Sequence, residues 1–263
     1  GELLSMFSDN CAETAYIGIC YKLGTCTLSD VSTKLGGGYK LVSDVTIESG
    51  QTVTMEEGVS IDLVSHQFRV EGTFKAEYDE VTTAFYSTTT NANYPAHIIV
   101  NAGGVMQLSN ANINLDFGYS SISVQNEGVL HMTGGSVYAY HGLTVEDGGV
   151  ADFNGVEVKS KIENRGSLSL ENCTVANQSV TISQNATATI TNTSGISTLT
   201  INSGAVVNLV GNDFSSTTIK LNNFVEGEII DLSGNYWGTT DMDAIIAKIQ
   251  GFDESKVLIG TIL

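Results

Sequence analysis

The sequence predicts an all-β chain wound into a right-handed parallel β-helix, in which short turns of strand stack along one axis as a solenoid. Two observations predict it. Seven consecutive segments share one pattern of alternating apolar residues, and a single column in those segments holds only Gly or Asn. The composition agrees: charged residues are 15% of the chain, below the usual quarter, there are 28 glycines, and Pro95 is the lone proline. Gly and Asn accept the positive φ of tight turns, and β-branched residues suit a pleated surface.

The repeat comes first because it fixes the architecture. Segments opening at Ile98, Ile122, Leu143, Ile162, Val180, Leu199 and Ile219 each carry an alternating apolar pair, a turn, a second alternating strand, another turn and a short third strand. The second strand ends on an apolar residue: Leu108, Met132, Phe153, Leu170, Ile190, Leu209 or Leu232. Two positions later stand Asn110, Gly134, Gly155, Asn172, Asn192, Gly211 and Gly234. A sharp bend between strands needs the left-handed conformation, which these two residue types tolerate best. The column therefore marks one corner, repeated every 17 to 24 residues, a β-solenoid period. No convincing 3.6-residue periodicity lies between Val45 and Leu232, which excludes helical repeat arrays.

A single coil cannot bury its apolar face alone, so stability sums over neighbours and both ends need caps. Residues 1–40 do not repeat and are expected to form the N-terminal cap; 41–238 form the β-helix, interrupted by an inserted loop at 75–97; 239–263 hold a capping helix and a final strand. In that helix Thr240 to Asp243 reads as a capping box, with Met242, Ile245, Ile246 and Ile249 on one side. Cys11, Cys20 and Cys26 cluster in the N-terminal span, away from Cys173, and their pairing is left open.

Charge narrows the partners. Twenty-nine acids against 11 bases give a net charge of −18, which repels nucleic acid and anionic bilayers. No apolar run reaches the length of a membrane span. Solubility is the simplest role of the acidic surface; cations and neutral glycans also suit it.

Two stretches carry a family resemblance. VTIESGQTVTMEEGVSIDL with FRVEGTFKA, from Val45 to Ala76, resembles the opening coils of bacterial secreted right-handed β-helix proteins. GNYWGTTDMDAIIAKI, from Gly234 to Ile249, resembles the N-Y-W-G closing coil and capping helix of the same group. The coils from Asn101 to Gly211 are similar to passenger domains of autotransporter adhesins. The resemblance implies an extracellular or bacterial cell-surface location and an adhesion role; it specifies fold better than function.

No catalytic constellation stands out. Arg69 and Arg165 fall in different coils, and the alternating Glu157, Lys159, Lys161, Glu163 and Arg165 read as solvated weak ion pairs on one outer face. Asp147 with Asp152, or Glu127 with Glu146, could serve a glycosidase, but no pair is singled out. His66, His97, His131 and His141 lack ligand spacing, and the paired C-x-x-C of a zinc site is missing. Glu77, Asp79, Glu80 and Asp116 are a calcium alternative without a recognised loop pattern; the expectation is no cofactor and no metal site. Thr187, Thr189 and Thr191 do not recur as a Thr-x-Thr ladder in successive coils, which argues against ice binding.

The inserted loop is the strongest functional candidate, because long loops in compact repeats are uncommon and often functional. It carries Tyr78, Phe85, Tyr86 and Tyr94 among acids and amides, and the following coils add Tyr119, Tyr138, Tyr140 and His141 at their connections. Stacked on one side, Tyr78, Tyr86, Tyr94, Tyr119, Tyr138, Tyr140 and His141 would form a ligand-binding aromatic patch for glycans or host surface proteins. The alternative for these tyrosines is to cover hydrophobic rims of the helix. The functional expectation is a non-catalytic adhesin-type module. A polysaccharide lyase or glycoside hydrolase acting along the helix, and a structural stalk without ligand, are the competing readings. Oligomeric state is not legible.

Overall fold

The computed structural model describes residues 38–41, 44–55, 57–89 and 95–260. Cys11, Cys20, Cys26, Tyr94 and all of the expected N-terminal cap before Gly38 lie outside them. Gly38–Lys40 already pairs in parallel with Ser60–Asp62.

The chain is an all-β parallel solenoid. One face is a ten-stranded sheet that begins at Val45–Ile47, continues through Gln67–Val70, His97–Val100 and Ser121–Val124, and ends at Ile249–Gln250. The other two faces are joined into a 13-stranded sheet, because Thr73–Tyr86 and Val105–Leu115 run through the corner between them. Every strand pairing among the described residues is parallel. Within strands, side chains alternate between core and solvent, as a two-residue period requires.

The register aligns the predicted strand ends. Leu108, Met132, Phe153, Leu170, Ile190 and Leu209 are consecutive partners on one inner ladder. The corner column follows suit: Asn110, Gly134, Gly155, Asn172, Asn192, Gly211 and Gly234 all have φ between 51° and 72°. The left-handed turn has a second use, since it aims each corner N–H along the solenoid axis. Gly134 N donates to Asn154 O at 2.8 Å, Gly155 N to Glu171 O at 2.9 Å, Asn172 N to Thr191 O at 3.0 Å and Gly211 N to Gly234 O at 2.7 Å. Bent strands would otherwise leave these donors unpaired.

A polar ladder runs just inside that corner. Thr193 Oγ1 donates to Leu170 O and accepts from Cys173 N; Asn212 Oδ1 accepts from Thr193 N while its Nδ2 donates to Ile190 O. Asn235, the Asn of the N-Y-W-G stretch, accepts from Asn212 N and donates to Leu209 O and Leu232 O. All three side chains are buried, and each satisfies carbonyls that the turn takes out of the ladder. Most of the remaining core is apolar. One coil is filled by Phe68, Phe74 and Phe85, one from each face, with ring centroids 5.0 to 5.3 Å apart. Edge contacts of this kind add to the burial of each ring.

Three expectations need correction. The span 75–97 is not a loop through most of its length. Thr73–Tyr86 is a 14-residue strand paired with Val105–Leu115, and the extra residues are absorbed as register shifts between Glu77 and Thr82 and between Thr83 and Phe85. Its β-branched and aromatic residues find partners, so the insertion becomes a bulge at the corner. The charged run from Glu157 to Arg165 turns a corner instead of lining one face, since Glu157–Val158 and Ile162–Asn164 belong to different sheets. Its ion pairs are Lys159 with Glu157 at 2.8 Å and Arg165 with Glu163 at 2.7 Å and Glu146 at 3.0 Å, all at the surface.

The closing helix is shorter than expected. It spans Met242–Ile246, with Asp241 rather than Thr240 as N-cap, its carboxylate accepting from Asp243 N. Ile245 is buried but Met242 is exposed, and Ile249 has left the helix for a strand beside Ile219. Lys248 locks this end by donating to the carbonyls of Trp237, Phe214 and Ser215.

Candidate functional site

Two of the exposed aromatics, Tyr119 and Tyr140, gather where the third face turns into the ten-stranded sheet. Beyond Val105–Leu115 the chain makes a compact turn pinned from inside by Ser120. This buried serine donates to Phe117 O at 2.6 Å and accepts from Ala96 N at 3.1 Å. Gly118 supplies the positive φ, and the turn throws the Tyr119 ring outward. The next coil is tied to it rung by rung: Tyr140 N donates to Leu115 O at 2.9 Å and His141 N to Ser120 O at 2.8 Å. Backbone register therefore places side chains more than twenty residues apart in one cluster.

Tyr119 and His141 meet edge to face with centroids 5.7 Å apart. Tyr119 and Tyr140 are each 61% exposed. Together with Asp116, Phe117 and Gly118, these two tyrosines line an open cavity of about 470 Å³. Two large rings this open to water on one cavity mark a candidate contact surface.

Tyr138 stands on the outer side of Ser136–Ala139, two residues before Tyr140, paired across the ladder with Asn114, which in turn pairs with Tyr86. A smaller recess of about 220 Å³ is lined there by Thr83, Asn112, Asn114, Ser136, Tyr138 and Lys159, with Ile113. Tyr86 is half-buried, and burial first, then the nearby Asp62 carboxylate, hold its phenol above its usual pKa, so it stays a neutral donor. Asp62 itself is buried and accepts from Val64 N, Thr88 N and Thr88 Oγ1.

The structure thus brings together Tyr119, Tyr140 and His141 at the corner and Tyr86 and Tyr138 on the adjoining strip. Tyr78 belongs to neither. Its ring is in the core and its hydroxyl donates to Val59 O at 2.6 Å, because it continues the inward alternation of Phe74 and Ala76 along the same strand. Phe117, Asp116 and Asn114 join the site although the aromatic pattern did not select them. The DFGYSS stretch held the signal for the first two, as it lengthens one connection of the repeat.

Around the patch, His97 Nδ1 lies 2.8 Å from Ser121 Oγ. Burial, then the Arg69 and His141 charges, hold its pKa below the usual imidazole value, against an opposing pull from Asp44. Among the described residues no group of three or more His, Cys, Asp or Glu side chains is placed to hold a metal ion, so Glu77, Asp79, Glu80 and Asp116 are not gathered. No protein-family model, curated protein or solved structure matches the chain.

Proposed function

We propose that this parallel solenoid is a non-catalytic, secreted or surface-displayed module of adhesin type, docking a glycan or a glycan-bearing host protein at the corner formed by Tyr119, Tyr140 and His141. One observation carries the reading: rings from two different coils converge on one cavity and keep their faces in water. A tyrosine face offers a sugar an apolar platform, while its hydroxyl and the neighbouring amides supply directional hydrogen bonds. The Tyr86, Asn114 and Tyr138 strip extends that platform along the third face.

The rigidity of the mount supports the same reading. Ser120 fixes the Tyr119 turn from within, and backbone hydrogen bonds fix Tyr140 and His141 against it, so little order has to be imposed on binding. A glycan array probed with the wild-type chain and with Tyr119→Ala and Tyr140→Ala tests the proposal. Binding that both substitutions weaken supports it. Binding unchanged in both variants removes the corner from the function. Release of new reducing or unsaturated ends from a polysaccharide panel would replace the reading with an enzymatic one.

A further inference from the structure

We infer that the group recognised in the Tyr119 and Tyr140 cavity is a cation, the ammonium of an amino sugar or of a choline-type headgroup. The inference rests on the corner being the docking site, and narrows what docks there.

Three features point the same way. Aromatic faces carry negative charge density, and a cation held within about 6 Å of a ring centroid is attracted to it. Three aromatic residues, Phe117, Tyr119 and Tyr140, line one cavity. Asp116 brings a carboxylate to the same lining, and among the described residues it makes no side-chain hydrogen bond and no ion pair. The cavity lining contains no Lys or Arg, and the whole chain carries a net charge of −18. A neutral sugar would use Asp116 only as an acceptor, whereas an ammonium uses the carboxylate, the rings and the surrounding field together.

The size is suitable. A cavity of about 470 Å³ admits a trimethylammonium group or one amino-sugar ring. Its openness keeps each contribution modest: a ring at an exposed site adds roughly two- to fivefold in affinity, and an exposed charge pair a similar factor at most.

The test uses charged and uncharged probes of equal shape on the full chain. Choline is compared with 3,3-dimethylbutan-1-ol, its uncharged carbon isostere, and glucosamine with glucose, in which a hydroxyl replaces the ammonium, by calorimetry and by the tyrosine ring signals in NMR. The expected result is that choline and glucosamine bind at least about fivefold more tightly than their neutral counterparts. Asp116→Asn then brings that ratio towards one, and Tyr140→Ala weakens the charged probes by about two- to fivefold with unchanged circular dichroism. Equal affinity for charged and neutral probes, no binding of choline or glucosamine, or a ratio untouched by Asp116→Asn overturns the inference. Neutral glycans captured by the array alongside equal probe affinities would leave the docking reading standing and remove the cation. Charged probes shifting Tyr119 and Tyr140 with no glycan captured would do the reverse.

Discussion

Replacing Gly211 by Ala should destabilise the solenoid, although Gly→Ala at an ordinary position stabilises a protein by about 0.4–1 kcal/mol through the unfolded chain. Gly211 has φ +72°, where an L side chain costs about 1–2 kcal/mol. A Cβ there would also sit 2.4 Å from Asn192 Oδ1, on the neighbouring coil. The Asn192 side chain would have to turn aside and give up its hydrogen bond to Asn172 Oδ1, a further loss of about 0.5–1.5 kcal/mol. After the unfolded-state gain is subtracted, the net cost is about 1–2.5 kcal/mol. Asn192→Gly removes the obstructing amide, so in that background Gly211→Ala should cost only its backbone share, and the two changes should be non-additive by about 1 kcal/mol. Urea unfolding of the four variants, followed by far-ultraviolet circular dichroism, measures all of these. A stabilised or unchanged Gly211→Ala, or strict additivity, would mean that the two residues are not stacked left-handed corners.

Glu127 occupies the left-handed region with φ +60° at another corner, where neither Gly nor Asn relieves it. Glu127→Gly should therefore be neutral or stabilising by up to ~1 kcal/mol, seen as a raised thermal midpoint. Lys248→Met should lower stability by about 1–3 kcal/mol in denaturant titration, because it leaves the Ser215 and Trp237 carbonyls at the closing coil without their donor. The lowered pKa of His97 means that the unfolded chain binds a proton more readily than the folded one. Its contribution is intact above the ordinary imidazole value of about 6.5 and falls away as pH drops from there through the lower folded pKa. Thermal midpoints between neutral and mildly acidic pH should fall less steeply in His97→Gln than in the wild type.

Much of the fold was legible because a solenoid repeats its demands on sequence. Seven coils needed the same bend, and only two residue types meet that need cheaply, so the corner column could be read without coordinates. The 75–97 span misled for a related reason. Its length breaks the period, and nothing in AEYDEVTTAFY says that Ala84 and Phe85 will both face inward across a bulge, whereas the inward place of Tyr78 follows the alternation of Phe74 and Ala76. The buried ladder of Thr193, Asn212 and Asn235 was also hidden, since Thr and Asn abound on the surface and their partners are backbone carbonyls and N–H groups about twenty residues away. At the candidate site, Tyr119, Tyr140 and His141 were readable because each stands at a connection of the repeat. That Asp116 and Phe117 share their cavity depends on how the Ser120 turn is pinned.

The most direct test is an NMR titration of the chain with ¹³C-labelled tyrosine rings, adding the strongest glycan from the array. Ring signals of Tyr119 and Tyr140 should move together and saturate at one concentration, while that of Tyr78, held in the core, stays still. Saturable movement of other tyrosines with Tyr119 and Tyr140 unmoved would contradict the account.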